Sequence, residues 1–360
     1  MSDEPIPEPV TVVGLLADPN LPGELATRLA EGLPQVLGAR LDTPRTWQVE
    51  TVVEPFEAND RGERALDRAR ERVRRTRWDV AVCLTDVPAK SSGVPVVAQV
   101  GEQDRVAVVS VPALGGVRLL PRVRDAVVDL VGRLLGVEAA AAARRPTRRA
   151  ALLHEPGVQA EDSDETVLTR RGTLRLLAGM VRTNRPWRLT VGLGAALAGS
   201  AAGSAFGLLY SNLWQLATNL DGWRLALAFV GSIAIFVAWL IAGHRLWERG
   251  SPEPDLDRLL NLGTVLTLTA GTGLFSLALL VLNSVVAAVI IPASYLTRVL
   301  GYPAGPADYV RIVVLATIMG VVAGAVGSGL EDDATVRQVA YGHRQRERRQ
   351  LAAQLETREE

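Results

Sequence analysis

The chain has 360 residues, and its 39 basic and 39 acidic side chains give a formal charge of zero. A chain that binds nucleic acid normally carries a basic surplus, so this balance argues against that partner. Cys83 is the only cysteine, which excludes an intramolecular disulfide and a cysteine-rich zinc site. His154, His244 and His343 lie too far apart for metal-ligand spacing. No metal and no cofactor is expected.

The N-terminal segment, residues 1–140, alternates strand and helix signals. Val10 to Leu16 is an apolar run suited to a buried strand. Leu21 to Leu37 has helical spacing, and Trp47 to Val53 reads as a second strand. Asp60 to Arg77 is a charged helix with Ala65, Ala69 and Val73 on one stripe. Trp78 to Leu84 is a third strand. Val94 to Val100 and Val106 to Val111 flank a short polar turn, the pattern of an antiparallel hairpin. Leu119 to Leu135 closes the domain as a helix with Val123, Val127, Leu130 and Leu134 inward. The order β-α-β-α-β-β-α predicts an α/β cytoplasmic domain with a mixed sheet, mostly parallel with one antiparallel edge.

Ligands of open α/β sheets bind beyond the carboxyl ends of the strands. Asp18 and Asn20 follow the first strand, and Thr85 and Asp86 follow the third, so these four residues are the candidate ligand-binding set. Asp18 and Asp86 also suit turn or helix capping. No GxGxxG, GxxxxGK[ST] or GxSxG motif occurs, so no catalytic residue is assigned. Cys83 lies within an apolar strand and reads as core.

Residues 141–165 are polar, acidic and proline-containing, and read as a linker. Residues 166–187 turn helical and amphipathic. Arg171, Arg175, Arg182 and Arg185 are the expected membrane-surface residues, with Leu174, Leu177 and Val181 on another face. Anionic lipid headgroups would attract each surface arginine by about 1 kcal/mol.

Residues 188–330 carry four apolar stretches, from Leu189 to Tyr210, Leu225 to Gly243, Leu262 to Ile291 and Ile312 to Leu330. Roughly 20 apolar residues cross a bilayer, so the expectation is an all-α transmembrane helical bundle of four spans. A break near Asn283-Ser284 would make five. Arginines crowd the segments before the first span, between the second and third, and after the fourth. The other two loops are nearly free of them, which predicts both termini in the cytoplasm of a multi-pass plasma-membrane protein. Gly199, Gly203 and Gly207 form one small-residue row, and Ala316, Gly320 and Gly324 form another. Such rows allow close helix packing within a bundle, or a homodimer. Residues 331–360 read as a charged cytoplasmic tail helix.

The segments WDVAVCLTDVP, RTNRPWRL and YGHRQRERR make the chain resemble a family of actinobacterial four-span membrane proteins. Some members carry the label methylenetetrahydrofolate dehydrogenase/cyclohydrolase. The residues do not support that label, because the only lysine, Lys90, lies outside a YxxxK-type motif. The strand order and the Thr85-Asp86 pair also resemble the N-terminal half of a zincin metalloprotease. That likeness implies a non-catalytic relative, since residues 119–126 lack HExxH.

The sequence therefore supports a non-enzymatic interaction or sensing protein at the cytoplasmic face of the membrane, with the lipid bilayer as its partner. Two alternatives stay open. One is an enzyme or ligand sensor, folate- or nucleotide-related, using the strand-end crevice. The other is a small channel or transporter.

Overall fold

A computed structural model describes residues 10–54, 65–91, 94–137, 165–169, 172–188, 194–247 and 254–330. The expected tail helix, most of the linker and Arg171 lie outside the described residues. The chain divides into two units, the first running to Thr183 and the second starting at Asn184.

The first unit is built on β1 (Val10–Ala17), α1 (Leu21–Ala30), α2 (Leu33–Arg40), β2 (Thr46–Val53), α3 (Ala65–Val73), β3 (Val80–Thr85), β4 (Ala89–Ser91), β5 (Val94–Gly101) and β6 (Val106–Ser110). A 3-10 turn (Val111–Leu114), α4 (Leu119–Leu134), β7 (Glu165–Thr169) and α5 (Thr173–Asn184) follow. The seven strands form one mixed sheet in the order β2-β1-β3-β6-β5-β4, with β7 also on β5. β1 is parallel to β2 and β3, and β3 is parallel to β6. β5 is antiparallel to β4, β6 and β7.

Every residue of β3 is buried, as a strand covered on both faces requires. On one face, Leu16, Ala81, Cys83, Val106 and Val108 pack with Leu66, Ala69 and Val73 of α3. Helices α1, α2 and α4 contact one another and so lie together on the other face. Gly14 sits within β1 where the Trp78 indole lies against the backbone and leaves no room for a Cβ. The Trp78 Nε1 donates to Glu50 at 2.7 Å. The β5–β6 turn is held by Arg70 on Asp104 and by Arg133 on Glu102, both at 2.8 Å.

The structure adds to the expected elements. The helix expected over 21–37 is two helices, interrupted at Gly32 with Pro34 opening the second. Residues 165–169, expected to end the linker and start a helix, form β7 on β5. The following helix starts at Thr173.

The second unit consists of α6 (Gly194–Leu209), α7 (Ser211–Asn219), α8 (Gly222–Gly243), α9 (Pro254–Ile290), α10 (Ala293–Leu300) and α11 (Pro306–Ser328), after a 3-10 turn at Pro186–Arg188. Among the described residues, three helices are long and apolar enough to cross a membrane: Gly222–Gly243, Asp257–Ile290 and Pro306–Ser328. The first apolar stretch, Leu189 to Tyr210, is described only as the 16-residue α6. At 1.5 Å per residue, that helix is about 24 Å long, less than a hydrocarbon core of about 30 Å. α9 runs unbroken past Asn283 and Ser284, so the stretch does not split there.

The two small-residue rows meet each other. A Cβ on Gly199 would lie 2.7 Å from the Ala323 carbonyl oxygen, and one on Gly207 would lie 2.6 Å from the Ala316 Cα. Gly320 and Gly324 receive the Ser204 and Ser200 hydroxyls from the opposite side. α6 and α11 therefore run antiparallel with their backbones in contact. A second copy of the chain would need another face. Asn283 of α9 donates to Ser204 at 3.2 Å and to Thr317 at 3.1 Å, tying three helices together. Phe236 and Phe275 pack edge to face with centroids 6.0 Å apart, within a core that includes Leu240, Leu268 and Val321.

The arginine-poor loops are helical rather than irregular. α7 and α10 bring Trp214, Ala217 and Leu296 into a cluster with Leu208, Ile291 and Ile312. Arg311 donates to the Thr218 carbonyl at 2.8 Å, and Gln215 to that of Val299 at 3.2 Å. Both helices end where those carbonyls need donors.

Candidate functional site

Strand order 2-1-3 means the chain leaves β1 toward β2 and then returns past it to β3. The carboxyl ends of β1 and β3 thus flank a topological switch point, the usual position of a ligand crevice. The backbone locks both ends together. Asp18 N–H donates to the Leu84 carbonyl at 2.9 Å, and Glu54 N–H to that of Ala17 at 3.0 Å.

The candidate residues Asp18 and Thr85 meet here. The Thr85 hydroxyl donates to Asp18 Oδ2 at 2.7 Å, with both side chains buried. A hydrogen bond to a carboxylate contributes about 1.5–3 kcal/mol, so this contact fixes the carboxylate's direction. Thr85 Oγ1 in turn accepts from Val87 N–H at 3.0 Å. Ser110, the last residue of β6, donates to the Val87 carbonyl at 2.8 Å and is itself buried. A polar relay therefore runs from Asp18 through Thr85 and the following turn to Ser110, across the ends of three strands.

Asn20 is half-buried in the turn before α1. Its φ of 70° is in the left-handed range that non-glycine residues rarely adopt. Its carbonyl accepts from Glu24 N–H at 2.9 Å and so starts the helix. Gly23 lets that first turn lie against β2, since a Cβ there would be 2.7 Å from the Val53 side chain. Asp86 is half-buried in the turn between β3 and β4. Sequence reasoning missed Ser110; its signal is a lone hydroxyl ending the apolar strand VAVVS. Among the described residues, no group of three or more His, Cys, Asp or Glu is placed to hold a metal ion. Cys83 is fully buried in the core packed with α3.

A second built region surrounds the 3-10 turn and α5. Leu114 ends that turn, and its carbonyl accepts from Arg122 NH1 at 2.9 Å and from Arg175 Nε and NH2 at 3.1 and 2.9 Å. The negative end of a helical turn is a favourable place for two guanidinium groups. Arg175, expected on the membrane surface, is thus directed onto a backbone carbonyl. The expected apolar face is divided: Leu177 is buried, together with Leu176 and Met180, whereas Leu174 is exposed. Gly179 rests on the Pro112 carbonyl with no space for a side chain. Arg182 is exposed, and Arg185 follows the helix end with a φ of 52°.

No protein-family model, curated protein or solved structure matches this chain.

Proposed function

We propose that this chain is an integral membrane protein that carries an α/β interaction or sensing unit at the cytoplasmic face of the plasma membrane. The supporting observation is a single chain that joins a strand-end crevice at a topological switch point to three helices able to cross a bilayer. In this reading α6 belongs to a fourth crossing, and both termini are cytoplasmic. The loops holding α7 and α10 carry few arginines and face outward, as the positive-inside rule requires. The Asp18–Thr85–Ser110 relay shapes the crevice rim, because two of its hydroxyls are committed to holding backbone and carboxylate.

The test is labelling of single cysteines in whole cells by a membrane-impermeant maleimide. Asn219→Cys should label from outside, and Ser251→Cys only after permeabilisation. The reverse pattern overturns the orientation. The buried native thiol of Cys83 supplies no background.

A second reading, an enzyme or ligand sensor for a nucleotide or folate, is favoured by the left-handed Asn20 beside Asp18. Strained backbone often marks a binding turn. A ligand at about 100 times its Kd should stabilise the purified full-length protein by about 2.7 kcal/mol in a thermal-shift screen. Loss of that shift in Asp86→Ala would place the ligand in the crevice. No shift with nucleotides, folates or divalent cations favours a protein partner instead.

A further inference from the structure

We propose that the Gly115–Arg118 turn and the outer row of α5 form one surface that rests on anionic lipid headgroups. The inference builds on the membrane reading above; it keeps Arg182 and Leu174 of the expected helix and adds the Gly115–Arg118 turn. One face of α5 holds Leu176, Leu177 and Met180, all buried. Leu174, Ala178 and Arg182, four residues apart, share the other face, and all three are exposed. Leu174 is 83% exposed, which is costly in water for a leucine.

The turn before α4 runs beside this row. A Cβ on Gly116 would lie 2.7 Å from the Ala178 carbonyl oxygen and 3.5 Å from the Ala178 Cβ. The next residue, Val117, is 70% exposed. Arg118 follows, exposed and held at a φ of 53°. Two apolar tips, Val117 and Leu174, therefore stand out beside Arg118 and Arg182.

The two segments that build this surface carry charge of one sign. Residues 111–124 and 172–188 contain seven arginines and neither Asp nor Glu. Arg122 and Arg175 turn inward to the Leu114 carbonyl, while Arg118 and Arg182 are exposed. α4 has no acidic residue in its first turn, so its positive end adds to the same field. Apolar tips set among arginines are the composition of an interfacial membrane contact. An acidic protein surface would answer the arginines alone.

The test uses the full-length chain in nanodiscs of brominated lipid, with and without phosphatidylglycerol. A fluorescent label is placed singly at Val117→Cys, Leu174→Cys, Leu277→Cys or Glu31→Cys. Val117, Leu174 and Leu277 are exposed side chains, so these changes leave the core intact. Leu277 reports insertion of α9, and Glu31, exposed after α1, reports solvent. The expected result is quenching at Leu277 in both lipids, and at Val117 and Leu174 only in the anionic discs. The pair Arg118→Gln and Arg182→Gln should weaken the anionic contact about 30-fold. Quenching at Leu277 with Val117 and Leu174 behaving like Glu31 overturns the proposal while keeping the membrane reading. An unquenched Leu277 overturns both.

Discussion

Gly203→Leu should lower the stability of the purified protein in detergent by about 3 kcal/mol, the upper end for overpacking a core. The cause is local and backbone-borne. A Cβ at Gly203 would lie 2.7 Å from both the Ala323 Cβ and the Met319 carbonyl oxygen, and 3.1 Å from the Gly320 Cα. None of these atoms can rotate away, so α6 and α11 must separate. Separation would also pull Ser204 from Asn283, which bridges to Thr317. Helices in lipid gain nothing from hydrophobic exclusion against each other, so lost packing is not replaced. Gly231→Ala is the control: nothing lies within 4 Å of a Cβ there, and the change should leave the melting temperature equal or slightly raised. Equal melting temperatures for Gly203→Leu and the parent would mean that α6 and α11 do not touch through this row.

The helix crossing was legible in the sequence because small residues four apart have one geometric consequence. Gly199, Gly203 and Gly207 share a face, and so do Ala316, Gly320 and Gly324. Periodicity could not choose between a crossing within the chain and one between copies. Only contacts such as Gly207 against Ala316 make that choice. The helices α7 and α10 were illegible for a different reason. Each is under ten residues, too short for a periodic signal, and their order comes from tertiary bonds such as Arg311 to Thr218.

In the first unit, the alternation of strand and helix signals gave the mixed sheet, since apolar runs such as Val80–Thr85 admit few other structures. Asp18 and Thr85 were legible as members of one strand-end set because strand ends at a switch point are set by topology. Ser110 was not, because its role depends on β6 lying beside β3, a pairing that no local pattern announces. β7 was missed because TVLT is a short β-branched run after a polar stretch, and its partner β5 lies far upstream. Amphipathic α5 was legible as a helix. The direction of its apolar face was not, because an apolar stripe satisfies a protein surface as well as a bilayer.

That ambiguity is what a substitution at Gly179 resolves. Gly179→Val should detach α5 from the 3-10 turn, because the Pro112 carbonyl occupies the space of any side chain and the Pro112 Cα is 2.8 Å from it. Two consequences follow from one displacement. Leu176, Leu177 and Met180 lose their cover, at about 1.5–3 kcal/mol for each side chain returned fully to water. Arg175 also loses its two bonds to Leu114, each a charge-assisted contact. The expected result is rapid amide hydrogen exchange throughout 173–184, with protection of β1 and β3 retained, since their bonds involve no residue of α5. Arg175→Met should give a milder loosening, because it removes the bonds and keeps the buried face. Leu174→Ala, at a side chain that is 83% exposed, should change nothing in exchange. If Gly179→Val instead leaves α5 protected, the apolar face of that helix has another partner, and its place on the 3-10 turn is not what orders it.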